Sequence, residues 1–306
     1  RHNLPGKGGL RDAERLSPGH LIGLQGRLAR PFWGVMGLWS VLCGALASSR
    51  LRWEGEDLLT LTLVLILAEV AWGSLWDLSA GTEWFRPLAE GWPPSRPAAL
   101  ASPPYTLPDS PGGRLFRGLN RWAGWWKRSF WPAAGPQLLG VLTAAVLAVV
   151  LTLLLPDRLR PLSAILVALI GLGIVQRRRG RACLGGQALV QVGLSWLAGH
   201  MVFGDLTPLS LFLALSFSAA GWGVLRISDG LAGGVWLLDG GQAVAAVLLA
   251  LHKEPLAAGM VGLMIFGQVA MQPLLRFGGE STHGPVSRRT WPWLMAAMLV
   301  AALAIA

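Results

Sequence analysis

Residues 135–155 read GPQLLGVLTAAVLAVVLTLLL, twenty-one positions with no charged side chain. A helix needs roughly 20 apolar residues to cross about 30 Å of hydrocarbon, because lipid offers no partner to a backbone N–H or C=O. This run is therefore long enough to be a transmembrane helix by itself. Working outward in both directions, the same test marks eight further runs: Pro31 to Ser48, Leu58 to Trp76, Leu162 to Val175, Cys183 to Phe203, Pro208 to Leu225, Leu231 to Leu251, Pro255 to Leu275 and Trp291 to Ala306. Composition agrees. The chain is 53% hydrophobic and 14% charged over 306 residues, with a mean hydropathy of +0.51, whereas soluble domains carry roughly 25% charge. The sequence thus predicts an all-α, polytopic membrane bundle of about nine helices.

Charge placement orients the bundle. Short loops rich in Lys and Arg stay in the cytoplasm. Arg1, Lys7, Arg11, Arg15, Arg27 and Arg30 precede span 1, Arg86, Arg96, Arg114, Arg117, Arg121, Lys127 and Arg128 lie between spans 2 and 3, Arg177, Arg178, Arg179 and Arg181 between spans 4 and 5, Arg226 follows span 6, and Arg276, Arg288 and Arg289 lie between spans 8 and 9. These are alternate loops, so the N-terminus is expected to be cytoplasmic, and the location a cell's inner (cytoplasmic) membrane crossed many times. The net charge of +10 is read as this topology signal. It forms no continuous basic stripe, and nucleic acid is excluded as a partner. Ala45-Leu46-Ala47-Ser48-Ser49, behind a basic segment, resembles a signal-peptide cleavage site. The charge alternation is preserved only if span 1 is retained, and retention is expected.

Residues 1–30 form a cytoplasmic N-terminal segment, with Ser17 and Pro18 as a helix-start signal, and 31–306 form a single transmembrane domain. Its longest connection, 77–134, divides in two. Gly91 to Gly113 is dense in proline and predicts extended loop. From Arg114 to Trp131, Leu115, Leu119, Trp122, Trp126 and Phe130 recur at helical spacing among Arg117, Arg121, Lys127 and Arg128, which predicts an amphipathic helix in the cytoplasmic interface. Many of the sixteen tryptophans stand near span ends, as in an aromatic belt. Cys43 and Cys183 have no metal-ligand spacing and read as packing residues. No two of the five histidines are spaced as a metal pair.

Ionisable groups inside lipid are costly and mark candidate sites. Glu69 in span 2 and Asp239 in span 7 qualify, both in the cytoplasmic half. With Asp77, Glu83, Arg226 and Asp229 nearby in sequence, they suggest a polar cavity bordered by spans 2, 6 and 7, lined by Gln187, Gln191 and Gln242 and by Gln268 and Gln272. Interhelical hydrogen bonding is the alternative role for these glutamines, and the small residues Gly171, Gly173, Ser216, Ala220, Gly240 and Gly241 are candidates for close helix approach.

The layout resembles the UbiA-type prenyltransferase superfamily. Arg30-Pro31-Phe32-Trp33, running on to Leu42-Cys43-Gly44-Ala45, is similar to that family's opening span. After span 2, Trp76-Asp77-Leu78-Ser79-Ala80-Gly81-Thr82-Glu83-Trp84-Phe85-Arg86-Pro87 matches the family's first aspartate-rich motif at Asp77 and at Arg86-Pro87, while Ala80 and Trp84 stand where further aspartates are expected. After span 6, Asp229 is followed by Ala232 and Trp236 in place of carboxylates. The resemblance implies nine spans with a cytoplasmic N-terminus, and in active members Mg²⁺ and a prenyl diphosphate held by these motifs. Mg²⁺ in a diphosphate site takes carboxylate oxygens, and one aspartate per motif supplies few. The expectation is a degenerate member: a non-catalytic subunit of a larger photosynthetic or respiratory membrane complex, surrounded by membrane lipids and other membrane-protein subunits. The old cavity would hold a lipid, isoprenoid, quinone or chlorophyll-type pigment, with His200 as a possible pigment ligand, and no resident metal. Trp84 and Trp236 are expected to close the cytoplasmic mouth, and Asp77 to pair with Arg226 or Arg86. The alternative is an active enzyme, with Asp77, Glu83, Asp229 and Asp239 around Mg²⁺ and Arg86 and Arg226 on the diphosphate. A transporter using Glu69 and Asp239 is a third reading.

Overall fold

The computed structural model describes residues 33–52, 54–80, 110–276 and 283–306, and among these residues every regular element is helical. In chain order they are α1 (Trp33–Leu46), α2 (Gly55–Ser79), α3 (Pro111–Trp125), α4 (Trp131–Leu154), α5 (Arg160–Arg178), α6 (184–203), α7 (Pro208–Ser228), α8 (Gly234–Leu251), α9 (Pro255–Arg276) and α10 (His283–Ala304). Helix propensity is not the cause of this uniformity. Apolar side chains are abundant throughout, and in lipid a helix is the one local structure that pairs its own backbone.

Over the described residues, each of the nine apolar runs coincides with a helix. Five of the described helices are long and apolar enough to cross a membrane: Gly55–Ser79, Ala134–Leu154, Asp157–Arg178, Pro208–Ser228 and Gly234–Leu251. The apolar helices Val35–Leu46, Pro255–Ala270 and Thr290–Ala304 are shorter. This is a membrane protein by the length and composition of those helices. The remaining helix, α6, differs for a physical reason. It carries Gln187, Gln191 and His200, and residues 190–200 are buried without a break, so protein rather than lipid receives its polar groups.

Two helices begin on a hydroxyl cap followed by proline. Thr207 caps α7 by accepting from the Ser210 N–H at 3.2 Å, with Pro208 at the first helical position. Ser110 caps α3 in the same way, accepting from Gly113 N–H at 3.1 Å ahead of Pro111. These are the hydroxyl-then-proline starts expected of helices. The expected amphipathic helix over Arg114 to Trp131 is present but begins earlier, at Pro111, and runs through a π turn at Trp126–Phe130 straight into α4. The N-terminal segment and most of the proline-rich loop lie outside the described residues, and the loop's expected last residues, Pro111 to Gly113, are instead the first turn of α3.

Two helix pairs form the centre. Where α1 crosses α6, a Cβ added to Gly44 would strike the Trp196 carbonyl oxygen, and one added to Gly199 would lie 2.9 Å from Ala45 N. Where α7 crosses α8, a Cβ on Gly241 would lie 2.5 Å from Ser216 O and 2.7 Å from Ala220 N, and one on Gly234 would lie 2.8 Å from Gly223 O. The absence of side chains lets the backbones touch, the usual basis of helix association in lipid. Helix α10 fills the angle between α7, α9 and α1, joined to α1 by a hydrogen bond from Trp39 Nε1–H to Met295 O at 3.0 Å. Helices α4 and α5 lie outside this centre, α4 packed mainly on α2 and α5 shared between α2, α6 and α4.

Candidate functional site

Helices α2 and α6 each contain a π turn, Ile66–Trp72 and Leu189–Leu194, and the two turns touch each other and α1. A π turn widens the helix by one residue and recurs at functional sites. Four polar side chains collect here. Glu69, half-buried, lays its carboxylate against Gly37 of α1, where an added Cβ would collide with Glu69 Oε2 and would lie 3.8 Å from Ser195 Oγ. Ser195 donates to Val190 O at 3.1 Å within the widened turn of α6. Gln191, 7% exposed, has its Oε1 without a hydrogen-bond partner, as does Nε1 of the fully buried Trp72. Glu69 already has a partner in the fold, while the touching turns also carry one buried acceptor and one buried donor whose hydrogen-bonding capacity is unused.

Asp239 lies elsewhere. Its two carboxylate oxygens accept from Gln268 Nε2 and Gln272 Nε2, each at 2.7 Å, and Gln242 Nε2 extends the ladder to Gln268 Oε1 at 3.3 Å. The ladder bridges α8 to α9. The principal partners of α2 are α1, α4 and α6, and those of α8 are α7, α9 and α10. The expected cavity bordered by spans 2, 6 and 7 is thus corrected: Glu69 and Asp239 occupy different helix interfaces, and the glutamines divide between them. Gln187, half-buried near the start of α6, joins neither group by a hydrogen bond.

At the ends of the helices bearing the cation-rich loops, Asp77 is half-buried in the last turn of α2 and already engaged by a neighbour. Asp229 is exposed just beyond α7. Arg226 donates to Ala232 O at 2.6 Å and sits 6.0 Å over the Trp222 ring, so it is not the partner foreseen for Asp77. Trp236 is 82% exposed and closes no mouth, because it stands on the outer side of the first turn of α8. Glu83, Trp84 and Arg86 lie outside the described residues. Among the described residues, no three His, Cys, Asp or Glu side chains come together at metal-binding spacing.

At the opposite end, the segments after α1, α4, α6 and α8 and the last residues of the chain meet. Asp205 accepts from Arg158 at 2.8 Å and approaches Arg50 at 3.8 Å. Beside them a cleft of about 230 Å³ is lined by Ser48, Arg50, His200, Asp205, His252 and Ile305, among others. His200 is 3% exposed, and its Nε2 donates to the Asp205 carbonyl at 3.0 Å. That contact occupies Nε2, Nδ1 is buried without a hydrogen-bond partner, and the cleft is below the ~300–1,000 Å³ of common small-molecule pockets. His200 is placed as a structural pin between α6 and its following loop.

Compared with protein-family models, curated proteins and solved structures, the chain gives no significant match. Its chemistry must be argued from its own residues. Sequence reading singled out Glu69, Asp239, Gln191 and Gln242, but missed Trp72 and Ser195 and the meeting of Arg50, Arg158 and Asp205. The signal for the last was present: cations and an acid in three short loops assigned to the same side of the bilayer.

Proposed function

We propose that this chain is a nine-span membrane subunit with a cytoplasmic N-terminus and a UbiA-like plan, non-catalytic, acting in an inner-membrane complex as a scaffold that holds a lipid, isoprenoid or quinone group. The observation that carries the reading is the position of Asp239. A prenyl-transfer site needs carboxylates converging on a shared diphosphate-bound Mg²⁺, and here both Asp239 oxygens accept glutamine amides from α9, Asp229 stands exposed in the loop after α7, and Arg226 is engaged by Ala232. Nine spans are supported by the meeting of the loops after α1, α4 and α6, with the turn after α8 and the chain's last residues beside them, at one end of the bundle. The unused Trp72 N–H donor and Gln191 carbonyl acceptor on the two π turns would receive the carbonyl or hydroxyl head of the held group.

The test is purification in mild detergent, followed by mass spectrometry of the intact assembly and an assay with geranylgeranyl diphosphate, Mg²⁺ and an aromatic acceptor. Co-purifying membrane subunits and no Mg²⁺-dependent diphosphate release are expected. A free chain that releases diphosphate would overturn the proposal.

One observation favours a second reading, proton or ion transport: Glu69 stands in lipid-depth helix where two π turns meet, the setting of a proton relay. Proton flux in proteoliposomes that is abolished by Glu69→Gln would establish it in place of the first.

A further inference from the structure

Helix α3 leaves two stripes uncovered. Leu115, Leu119 and Trp122 are 67%, 54% and 46% exposed, and their spacing of four and three residues puts them on one face. Arg114, Arg117, Arg121, Lys127 and Arg128 are exposed as well, and residues 110–131 contain these five cations and no acid. The apolar stripe continues into an aromatic ladder: Trp122 stacks on Trp126 at 5.3 Å, and Trp126 lies 4.5 Å from Phe130 and 6.2 Å from Trp131. That ladder ends where the membrane-crossing segment Ala134–Leu154 begins.

Depth follows from this continuity. Ala134–Leu154 is long and apolar enough to cross the membrane, which puts residues 126–133 at the headgroups, and α3 starts from that level with five positive charges and an apolar edge. We infer that α3 lies along the bilayer surface and is a recognition surface for its anionic phospholipid, such as phosphatidylglycerol: Trp122, Trp126 and Trp131 seat in the interface, and Arg114, Arg121, Lys127 and Arg128 hold the phosphates. Charge complementarity selects this occupant. A basic segment beside a membrane is drawn to anionic lipid within a Debye length, and amphipathic helices with Lys or Arg beside Trp and Leu take this position. The inference holds whether the chain is scaffold or transporter, since α4 alone sets the depth.

The full chain, reconstituted in phosphatidylcholine vesicles, is titrated with spin-labelled phosphatidylglycerol and spin-labelled phosphatidylcholine, and the motionally restricted fraction of each is read. Wild type should prefer phosphatidylglycerol by roughly threefold or more, and 1 M salt should reduce that preference, the screening length there being about 3 Å. The combined variant Arg114→Gln, Arg121→Gln, Lys127→Gln and Arg128→Gln should bring the ratio near one at unchanged helix content. Arg117 is kept, since it already has a partner in the fold. The double variant Arg179→Gln, Arg181→Gln, which removes exposed cations from the neighbouring α5–α6 loop, should retain the preference. No preference in wild type, a preference that survives the fourfold variant, or one abolished by the α5–α6 loop variant would each overturn the inference.

Discussion

The α7–α8 pair and the α4–α5 pair are both built from long apolar helices, yet only the first meets backbone to backbone. At the α7–α8 crossing, Gly223, Gly234 and Gly241 leave no space for a Cβ. Along α4 the residues Leu139, Leu142, Val146, Val149 and Leu153 are all more than 40% exposed, as are Ile165, Val167, Leu172 and Val175 of α5. In water such a ridge would be buried. In lipid the acyl chains solvate it equally well, so apolar area does not pair helices, and close packing at small residues does. A third interface, α8–α9, uses neither device to the same degree: Gly240, Gly259 and Gly262 have open space at the Cβ position, and the Asp239, Gln242, Gln268 and Gln272 ladder joins the helices instead.

The comparison can be broken most directly at its glycines. Gly199→Leu would push a side chain into the backbone of α1 at Val41 and Ala45. Overpacking usually costs about 1–3 kcal/mol, and a backbone collision that cannot be relieved by a rotamer change lies at or above the top of that range. The variant should fail to give a monodisperse peak in fluorescence-detected size exclusion. Gly171→Leu, in α5, meets nothing within 4 Å and should elute as wild type. Equal behaviour of the two variants would show that glycine packing is not what separates the centre from the periphery.

The polar ladder ranks next. Asp239→Leu would leave the Gln268 and Gln272 amides without their acceptor, and an unmatched buried polar group costs about 1–3 kcal/mol. Gln272→Ala removes one interhelical hydrogen bond and leaves Gln268 on the carboxylate, a loss of about 0.6 kcal/mol by the average for such bonds in membranes. Thermal unfolding in detergent should therefore place Asp239→Leu well below Gln272→Ala, with Gln272→Ala close to wild type. A reversed order would mean that Asp239 is strained in the folded state and serves something other than stability.

The elements themselves were legible in the sequence because each one is specified locally. An apolar run of sufficient length becomes a helix in lipid wherever it lies, whereas the start of α3 at Ser110-Pro111 falls inside the stretch Gly91 to Gly113 expected to be loop. Which helices pair was far less legible. Glu69 and Asp239 sit at similar sequence depth in their spans, and depth alone suggested a shared cavity. The neighbours of α2 are chosen by Gly37, which makes room for the Glu69 carboxylate, and by the two π turns, and a π turn has no local sequence signature comparable to a cap. Trp236 was misplaced for a related reason. Its position in the motif was readable, but its exposure depends on which face of α8 turns toward α7, and Gly234 and Gly241 decide that face.

The smallest effect on stability is expected on the α4 ridge, and there it separates the two occupants a lipid-facing surface can have. Val146 is 56% exposed, so Val146→Trp creates no internal clash and, like other surface changes, should alter stability by no more than about 0.5 kcal/mol. A bulky ring on a face in contact with fluid lipid is accommodated by acyl chains. A bulky ring in a packed subunit interface is not, since such interfaces are as complementary as protein interiors. If α4 and α5 form the docking face of the proposed complex, Val146→Trp will leave the isolated chain's thermal midpoint in place while reducing the amount of co-purifying subunit in mild detergent. If both quantities stay at wild-type values, this ridge faces lipid, and the partner must sit on another exposed surface, of which the α9 face carrying Leu256, Leu263 and Phe266, each at least 70% exposed, is the next to test.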